Sequence, residues 1–284
     1  MQSSYLLEHR YMAVKQCKHG LFMYNRNDAF IGRGLDLYGE WCDFEIQLLR
    51  QFIKLGDTVI DAGANIGTHA VAFANLVGPS GVVHAFEPQR RNFLMLAGNV
   101  ALNALENVVC HQKAVGETNG EIRLPPLPPP DLNFNYGAVS ISQGSPIGES
   151  VPLVTLDSLK LAACRVIKID TEGMEPQVLN GAQTLIERCR PLIYVENNEP
   201  GASKRLSKVL DALDYTAWWS IFPYFDSRNF YSNTVDVWQN VVPAANLLCA
   251  PREADLVRGD LEPFLGESDD WKACVQRLSG RMQR

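Results

Sequence analysis

The chain has 284 residues and a formal net charge of -6, from 26 basic against 32 acidic side chains. With 46% hydrophobic and 20% charged residues it has a globular composition, which excludes a disordered tail protein. The acidic balance argues against a dedicated nucleic-acid binder, which would carry a basic surplus.

Residues 1–50 read as an N-terminal cap. YMAVKQC and HGLFMYN are short strands, and DFEIQLLRQFIK is an amphipathic helix whose apolar stripe includes Leu48, Leu49, Phe52 and Ile53. A regular alternation follows. TVIDAG (Thr58–Gly63) is a strand, THAVAFANLV a helix, VVHAFEP (Val82–Pro88) a strand, and RRNFLMLAGNVALNA a helix. VVCHQKAV is a third strand and RVIKID (Arg165–Asp170) a fourth, with a helix through PQVLNGAQTLIERC. PLIYVEN (Pro191–Asn197) is a fifth, then the helix SKRLSKVLDAL and a final strand pair, YTAWWSIF and ANLLCAP. Apolar strands alternating with helices predict an α/β, doubly wound, mostly parallel sheet covered on both faces. Residues 51–250 form that domain, and 251–284 read as a peripheral helix pair. The Pro-rich stretch 119–150 cannot be a helix or a central strand; it is expected to be a long loop with an edge hairpin beside the active face, Phe134 and Tyr136 facing a ligand.

Glu8 and Arg10 interrupt the N-terminus before any apolar stretch develops, so it does not read as a signal peptide. The uncharged run from Ala62 to Phe86 is broken by Asn65, His69, Asn75 and a Gly-Pro-Ser-Gly turn, so it does not read as a membrane span. Seven cysteines at irregular spacing, none as C-x-x-C, point to free thiols in a reducing, cytoplasmic compartment.

The first strand runs into Asp61-Ala62-Gly63-Ala64-Asn65-Ile66-Gly67 and opens directly into a helix. Glycines there allow a tight turn and close approach to a ligand, and the helix N-terminus offers free N–H groups. The second strand ends in Glu87-Pro88, where a carboxylate can accept hydrogen bonds from both hydroxyls of a ribose. A dinucleotide fingerprint would carry another glycine. Asp61 at the mouth would repel a phosphate and welcome a cationic amino-acid moiety, so the expected ligand is a nucleoside without phosphate.

VIDAGANIGTHAVAFA, HAFEPQRRNFLMLAGNV, TLDSL, IKIDTEGMEPQVLNGA and PLIYVEN together resemble the FkbM-type S-adenosylmethionine-dependent methyltransferases. The resemblance implies a class I methyltransferase fold, a Rossmann-like seven-stranded sheet ordered 3-2-1-4-5-7-6 with the last strand antiparallel. It implies that Asp61, Gly63, Ala64, Asn65 and Gly67 line the methionine and ribose, and that Glu87, with Pro88 beside it, holds the ribose hydroxyls. At the end of strand three, where many relatives carry an Asp for adenine, this chain has Lys113-Ala114, and a lysine cannot accept a hydrogen bond.

The fourth strand ends Lys168-Ile169-Asp170-Thr171-Glu172-Gly173-Met174-Glu175. A hydroxyl acceptor must lose a proton during methyl transfer, and Asp170, Glu172 and Glu175 supply acids for that work. The Asn/Asp-Pro-Pro-Tyr/Phe signature of nucleobase and glutamine N-methylation is absent, which favours an O-methyltransferase. The segment is similar to the L-D-G-D motif of macrocin-type sugar O-methyltransferases, and that likeness puts the base at Glu172. Lys168 reads either as a catalytic group or as a salt-bridge partner of Glu172 or Glu175. Asp170 with Glu196 and Asn197 is similar to the Mg²⁺ trio of catechol O-methyltransferase, so these three are the candidate metal ligands. Asp157 reads as a helix cap, and His84 and His111 as core or edge residues.

Acceptor walls are sought among Tyr38–Trp41, residues 133–137, Trp218–Tyr224, Asn229, Phe230 and Tyr231. The expected partner is a small-molecule, sugar or glycan hydroxyl, without nucleic acid or membrane span, and with a homo-oligomer left open. A ribose 2′-O-methyltransferase and a non-catalytic nucleoside-binding scaffold are the competing readings.

Overall fold

The computed structural model describes residues 5–140, 145–199, 201–239, 241, 243–256 and 259–282. Strands β1 (Leu7–His9), β2 (Met12–Cys17) and β3 (Gly20–Asn25) form an antiparallel sheet, followed by helices α1 (Ile31–Tyr38) and α2 (Asp43–Arg50). Helix α1 is not predicted by the sequence pattern. Its eight residues include Gly32 and Gly34, weak helix formers, tolerated because added Cβ atoms would meet Asn25 O at 2.1 Å and Trp41 Cε3 at 2.8 Å.

The main sheet is built from β4 (Thr58–Ala62), α3 (Thr68–Val77), β5 (Val82–Phe86), α4 (Arg90–Leu102) and β6 (Val108–His111). After β6 the chain leaves the sheet. Strands β7 (Ala114–Val115), β8 (Gly120–Arg123) and β9 (Ser150–Val154) make a separate three-stranded sheet, so the predicted third strand is in fact two strands in two sheets. The chain returns in β10 (Val166–Ile169). The single helix expected next is two, α5 (Glu175–Asn180) and α6 (Gln183–Cys189). The break falls at Gly181, where a Cβ would lie 2.0 Å from Gly116 O, and Asp157 accepts from the N–H groups of Thr184 and Leu185 to cap α6. Then come β11 (Leu192–Glu196), α7 (Ala202–Ala212), β12 (Tyr215–Phe222), β13 (Ala244–Pro251), β14 (Glu262–Pro263) and α8 (Trp271–Met282).

The sheet runs β14-β12-β13-β11-β10-β4-β5-β6, with β13 antiparallel to both neighbours. Counting from β4, its seven long strands stand in the order 3-2-1-4-5-7-6. An eighth strand is added because β14 pairs with the edge at Trp218 and Trp219. Among the described residues the tail, expected as a helix pair, holds a short 3-10 helix (Arg252–Ala254), β14 and α8, and it is tied to the sheet by Trp219 Nε1 donating to Asp269 (2.8 Å) and by Arg277 on Asp269.

Alternate residues of each strand serve opposite faces. Ile60, Ile167 and Ile193 pack with α5, α6 and α7, while Val59, Val166 and Tyr194 share a second core with Phe73, Leu48 and Leu49. The N-terminal strands and α1 pack onto the main domain: Phe22, Tyr24, Ile31 and Leu35 share a core with Ile66, Val71 and Met95. The side chain of Asn99 is stitched to both Met23 backbone groups and to Ile66 O. None of the described helices is long and apolar enough to cross a membrane, and all seven cysteines are unpaired.

Candidate active site

The strand order reverses between β4 and β10, and a crevice opens there at the carboxyl ends of the parallel strands. One cavity fills it.

At the loop end, Gly63 (φ 86°) turns the chain against β10; a Cβ there would stand 1.7 Å from Asp170 O. The N–H groups of Gly63 and Ala64 both donate to Phe86 O, at 3.0 and 2.8 Å. The Glu87 carboxylate knits two loops together, accepting from Asn65 N (3.0 Å) and Gln89 N (2.8 Å). Burial pushes its pKa up to about 8; the two backbone donors oppose that rise, and Asp61 and Asp170 add to it. Gly63, Ala64, Asn65, Glu87, Pro88, Lys113 and Ala114 all line the cavity. So does Asn92. The side-chain oxygens of Asn65 and Asn92 are buried with no hydrogen-bond partner among the described residues.

Two expected loop residues stand elsewhere. Gly67 (φ 90°) turns away from the cavity into α3, where a Cβ would meet Leu96 Cδ1 at 2.8 Å. Asp61 lies beneath the mouth instead of in it. It is fully buried because the register of β4 and β10 sets it beside Lys168, whose Nζ is 3.3 Å away.

At the strand-four end, Lys168 bridges Asp61 and Asp170 (3.4 Å) rather than Glu172 or Glu175. Burial alone would lower its pKa, but Asp61, Asp170 and Glu45 raise it, so the ammonium stays charged. Asp170, Glu172 and Glu196 each bring a carboxylate oxygen within 4.8 Å of the others. Burial first, then Asp170 and Glu175, hold Glu172 up to about 8; burial, Asp170 and Glu172 raise Glu196 well above the ordinary range. Glu175 is not in the group, because its Oε1 receives Thr171 N, Thr171 Oγ1 and Gly173 N and so braces the turn. Asn197 is not in it either. Its side chain is buried against Ser203 Oγ (3.0 Å), and the next residue, Asn198, lines the cavity and donates to Glu196.

The remaining wall is aromatic. Trp41 stacks on Tyr224 (centroids 5.0 Å, 14°), Phe30 stacks on Trp238 (5.3 Å, 21°), and Phe30 meets Tyr224 edge-on at 5.8 Å. Among the aromatic candidates of the sequence, Trp41, Tyr136 and Tyr224 reach the cavity. Trp218 and Trp219 belong to the cores on either side of the sheet, Tyr38 and Tyr231 bond to Val235 O and Gln16 O, and Phe230 faces solvent. The loop 119–150 passes over the cavity. Phe134 bridges to Asp28 instead of facing inward, Asn135, Tyr136 and Gly137 line the space, and Ser140 Oγ donates to Glu172 O (2.7 Å). Residues 141–144 of this loop lie outside the described residues.

Sequence reasoning missed Phe30, Trp238 and a buried trio. His69 Nε2 lies 3.1 Å from Glu45 Oε2, and Asn246 Nδ2 donates to Glu45 Oε1 (2.9 Å). The signal for Glu45 was present, since it is an acid placed on the buried face of DFEIQLL. His84 and His111 bond to each other at 3.2 Å away from the cavity.

The sequence profile of the methyltransferase FkbM domain matches residues 61–221, which span β4 to β12 and the loop, turn and strand ends just described. The chain belongs to the FkbM family. It is an S-adenosylmethionine-dependent methyltransferase of class I architecture. Among curated FkbM relatives, the hexuronic acid methyltransferase AglP of Haloferax volcanii is 28% identical over 181 residues, 63% of this chain and 71% of that one. The 31-O-demethyl-FK506 methyltransferase FkbM of Streptomyces tacrolimicus is 32% identical over 167 residues, 48% of this chain and 64% of its own length. Crystal structures of similar fold include the methyltransferase FkbM of Methylobacillus flagellatus (16% identity, TM-score 0.43, 68% of this chain), of which this chain spans 43%. Another is an S-adenosylmethionine-dependent O-methyltransferase of Thermotoga maritima (16% identity, TM-score 0.42, 77% of this chain and 65% of that one).

Proposed function

We propose that the protein methylates a hydroxyl group of a sugar, a glycan or a comparable small molecule. The observation that carries this reading is the single cavity in which the loop end, with Glu87, meets the carboxylates of Asp170, Glu172 and Glu196 under an aromatic wall. The loop end fits the methyl donor. Glu87 keeps free lone pairs for the ribose hydroxyls, and the orphaned oxygens of Asn65 and Asn92 await donors. Gly63 and Ala64 let the backbone approach, and Pro88, Lys113 and Ala114 form the wall beside them. Bound there, S-adenosylmethionine supplies a methyl group activated by a positively charged sulfur.

Asp170, Glu172 and Glu196 take the role of gripping acceptor hydroxyls, with Lys168 holding Asp170 in place. A carboxyl held up to about 8 can donate as well as accept a hydrogen bond at neutral pH, which suits a polyhydroxylated ring. Trp41 and Tyr224 offer flat apolar faces for that ring. Two relatives support the class: one is named for a hexuronic acid, the other for an oxygen of FK506. The ribose 2′-O alternative is disfavoured by the chain's net charge of -6, which gives a phosphate backbone no basic surplus to bind.

The test is calorimetry with S-adenosylhomocysteine, together with release of tritiated product on a panel of methyl glycosides. Glu87→Ala is expected to lose about 1–3 kcal/mol of binding, the size of one or two hydrogen bonds to the ribose hydroxyls. Equal affinity in wild type and variant would remove the loop from the cofactor site, and methylation of amines in preference to glycosides would remove the hydroxyl acceptor.

A further inference from the structure

The carboxylate trio is crowded, and Glu172 in it lacks a fixing hydrogen bond. Glu172 sits at φ 54° on the turn after β10, and its carboxylate makes no hydrogen bond among the described residues. A proton acceptor in a displacement needs a fixed direction. A better-fixed group lines the same cavity. His69 is the second residue of α3, directly after the glycine loop. It is 6% exposed, Glu45 4% and Asn246 7%, and all three line the cavity. Glu45 receives Asn246 on one oxygen and faces His69 Nε2 with the other. A carboxylate held in that way fixes the imidazole as its Nε2–H tautomer. With Nε2 turned to Glu45, Nδ1 is left as the lone-pair acceptor of the ring.

We propose that His69 is the general base of methyl transfer and that Glu45, braced by Asn246, is its positioning residue; this rests on the hydroxyl-acceptor reading above. As the acceptor oxygen forms its bond to the methyl carbon, its proton passes to His69 Nδ1, and the C–S bonding pair returns to sulfur. The imidazolium that results lies against the Glu45 carboxylate, so the buried pair becomes neutral. It then releases the proton to solvent through the open side of the cavity. Glu45 and Asn246 both stand outside residues 61–221, so the family segment carries the base while its orientation comes from α2 and β13.

Two measurements on the full chain test this. The first needs no acceptor. With ¹⁵N-histidine label and S-adenosylhomocysteine bound, His69 is expected to show a protonated Nε2 and a bare Nδ1 at pH 8, and Glu45→Gln is expected to weaken that preference. A protonated Nδ1 would overturn the proposal. The second uses methyl glycosides and tritiated S-adenosylmethionine. His69→Gln keeps a donor for Glu45 but has no basic nitrogen; it should bind S-adenosylhomocysteine like wild type and turn over slower on the order of 10²–10⁴-fold. His69→Gly should regain turnover with added imidazole, and Glu172→Gln should not respond to imidazole. Full turnover in His69→Gln, or a folded His69→Gly that imidazole cannot restore, would show that the pair only ties α2 to α3. If wild type methylates no glycoside, the acceptor class is wrong, and the tautomer measurement still decides the assignment of His69.

Discussion

At the loop end of the cavity the shape is set largely by backbone: Gly63 and Ala64 bond to Phe86 O, and Asn65 N and Gln89 N close on Glu87. At the opposite end it is set by side chains, and these come from α2 and the turn before it, the segment before α1, β10 and the turn after it, β11, β13 and the loop after β12. The first end lies inside residues 61–221. The second draws Phe30, Trp41, Glu45, Tyr224 and Asn246 from outside them. A backbone site tolerates few changes, because its geometry is set by dihedral angles and close approaches. A side-chain site can be rebuilt residue by residue on the same frame, which is how one fold serves many acceptors.

The sharpest way to break this contrast is Gly63→Ala. The residue sits at φ 86°, and the new Cβ would meet Asp170 O at 1.7 Å, so the loop and the end of β10 must part. A displacement of that size is expected to weaken S-adenosylhomocysteine binding roughly 100-fold or more. Calorimetry giving wild-type affinity would mean that the loop is not the cofactor surface. Trp41→Ala touches the other end alone. Loss of the stack on Tyr224 is expected to raise KM for the glycoside acceptor about 10-fold, the upper range for an aromatic pair, with cofactor affinity unchanged. If Trp41→Ala instead weakened the cofactor and left KM intact, the two ends would have to be exchanged.

The same contrast explains what could be read from the sequence. The β4–loop–α3–β5 unit was legible because its requirements are local: a glycine where φ is positive, an apolar strand before it, an acid at the next strand end. Lys168 was legible as a salt-bridge residue, but its partner was not, since Asp61 faces it only through the register of β10 on β4. The strand end Glu196-Asn197-Asn198 was read with Asn197 as the site residue; the fold turns Asn197 to Ser203 in α7 and Asn198 to the cavity. Phe30 and Trp238 are far apart in sequence and meet only because the loop after β12 returns over α1. Gly181 broke a helix that periodicity supported, through contact with Gly116 on another element. In each miss a tertiary contact chose between local options that the sequence left equal.

A smaller effect follows from the acids that both ends keep buried. Glu87 and Glu172 are held up to about 8, against 4.5 for an ordinary glutamate. Between those values the folded protein binds more protons than the unfolded chain. The stability that the neutral carboxyls contribute is complete below about 4.5 and is lost as pH rises through about 8. The melting temperature of the cofactor-free protein is therefore expected to fall by a few degrees from roughly pH 5 to pH 9. Glu172→Gln, which has no carboxyl to ionise, should flatten part of that slope. A melting temperature that rises over this range in differential scanning fluorimetry would contradict the burial of both groups.

The smallest expected effect concerns metal removal. Asp170, Glu196 and Asn197 were the candidate Mg²⁺ ligands, and the structure separates them: Asn197 is committed to Ser203, while Glu172 joins the two acids. Three carboxylates within 4.8 Å could suit a hard cation. The position is already served by a cation of the chain's own, because Lys168 Nζ lies 3.4 Å from Asp170 and 3.3 Å from Asp61. A divalent ion bound to Asp170 would stand close to that ammonium in a buried setting, where like charges repel strongly. The raised Glu172 and Glu196 meet their crowding by holding protons instead. Turnover on methyl glycosides is thus expected to be unchanged by EDTA after dialysis and by added Mg²⁺. Activity lost to EDTA and restored by Mg²⁺ would place an ion among Asp170, Glu172 and Glu196, and would make the acid end a metal template instead of a hydrogen-bonding grip.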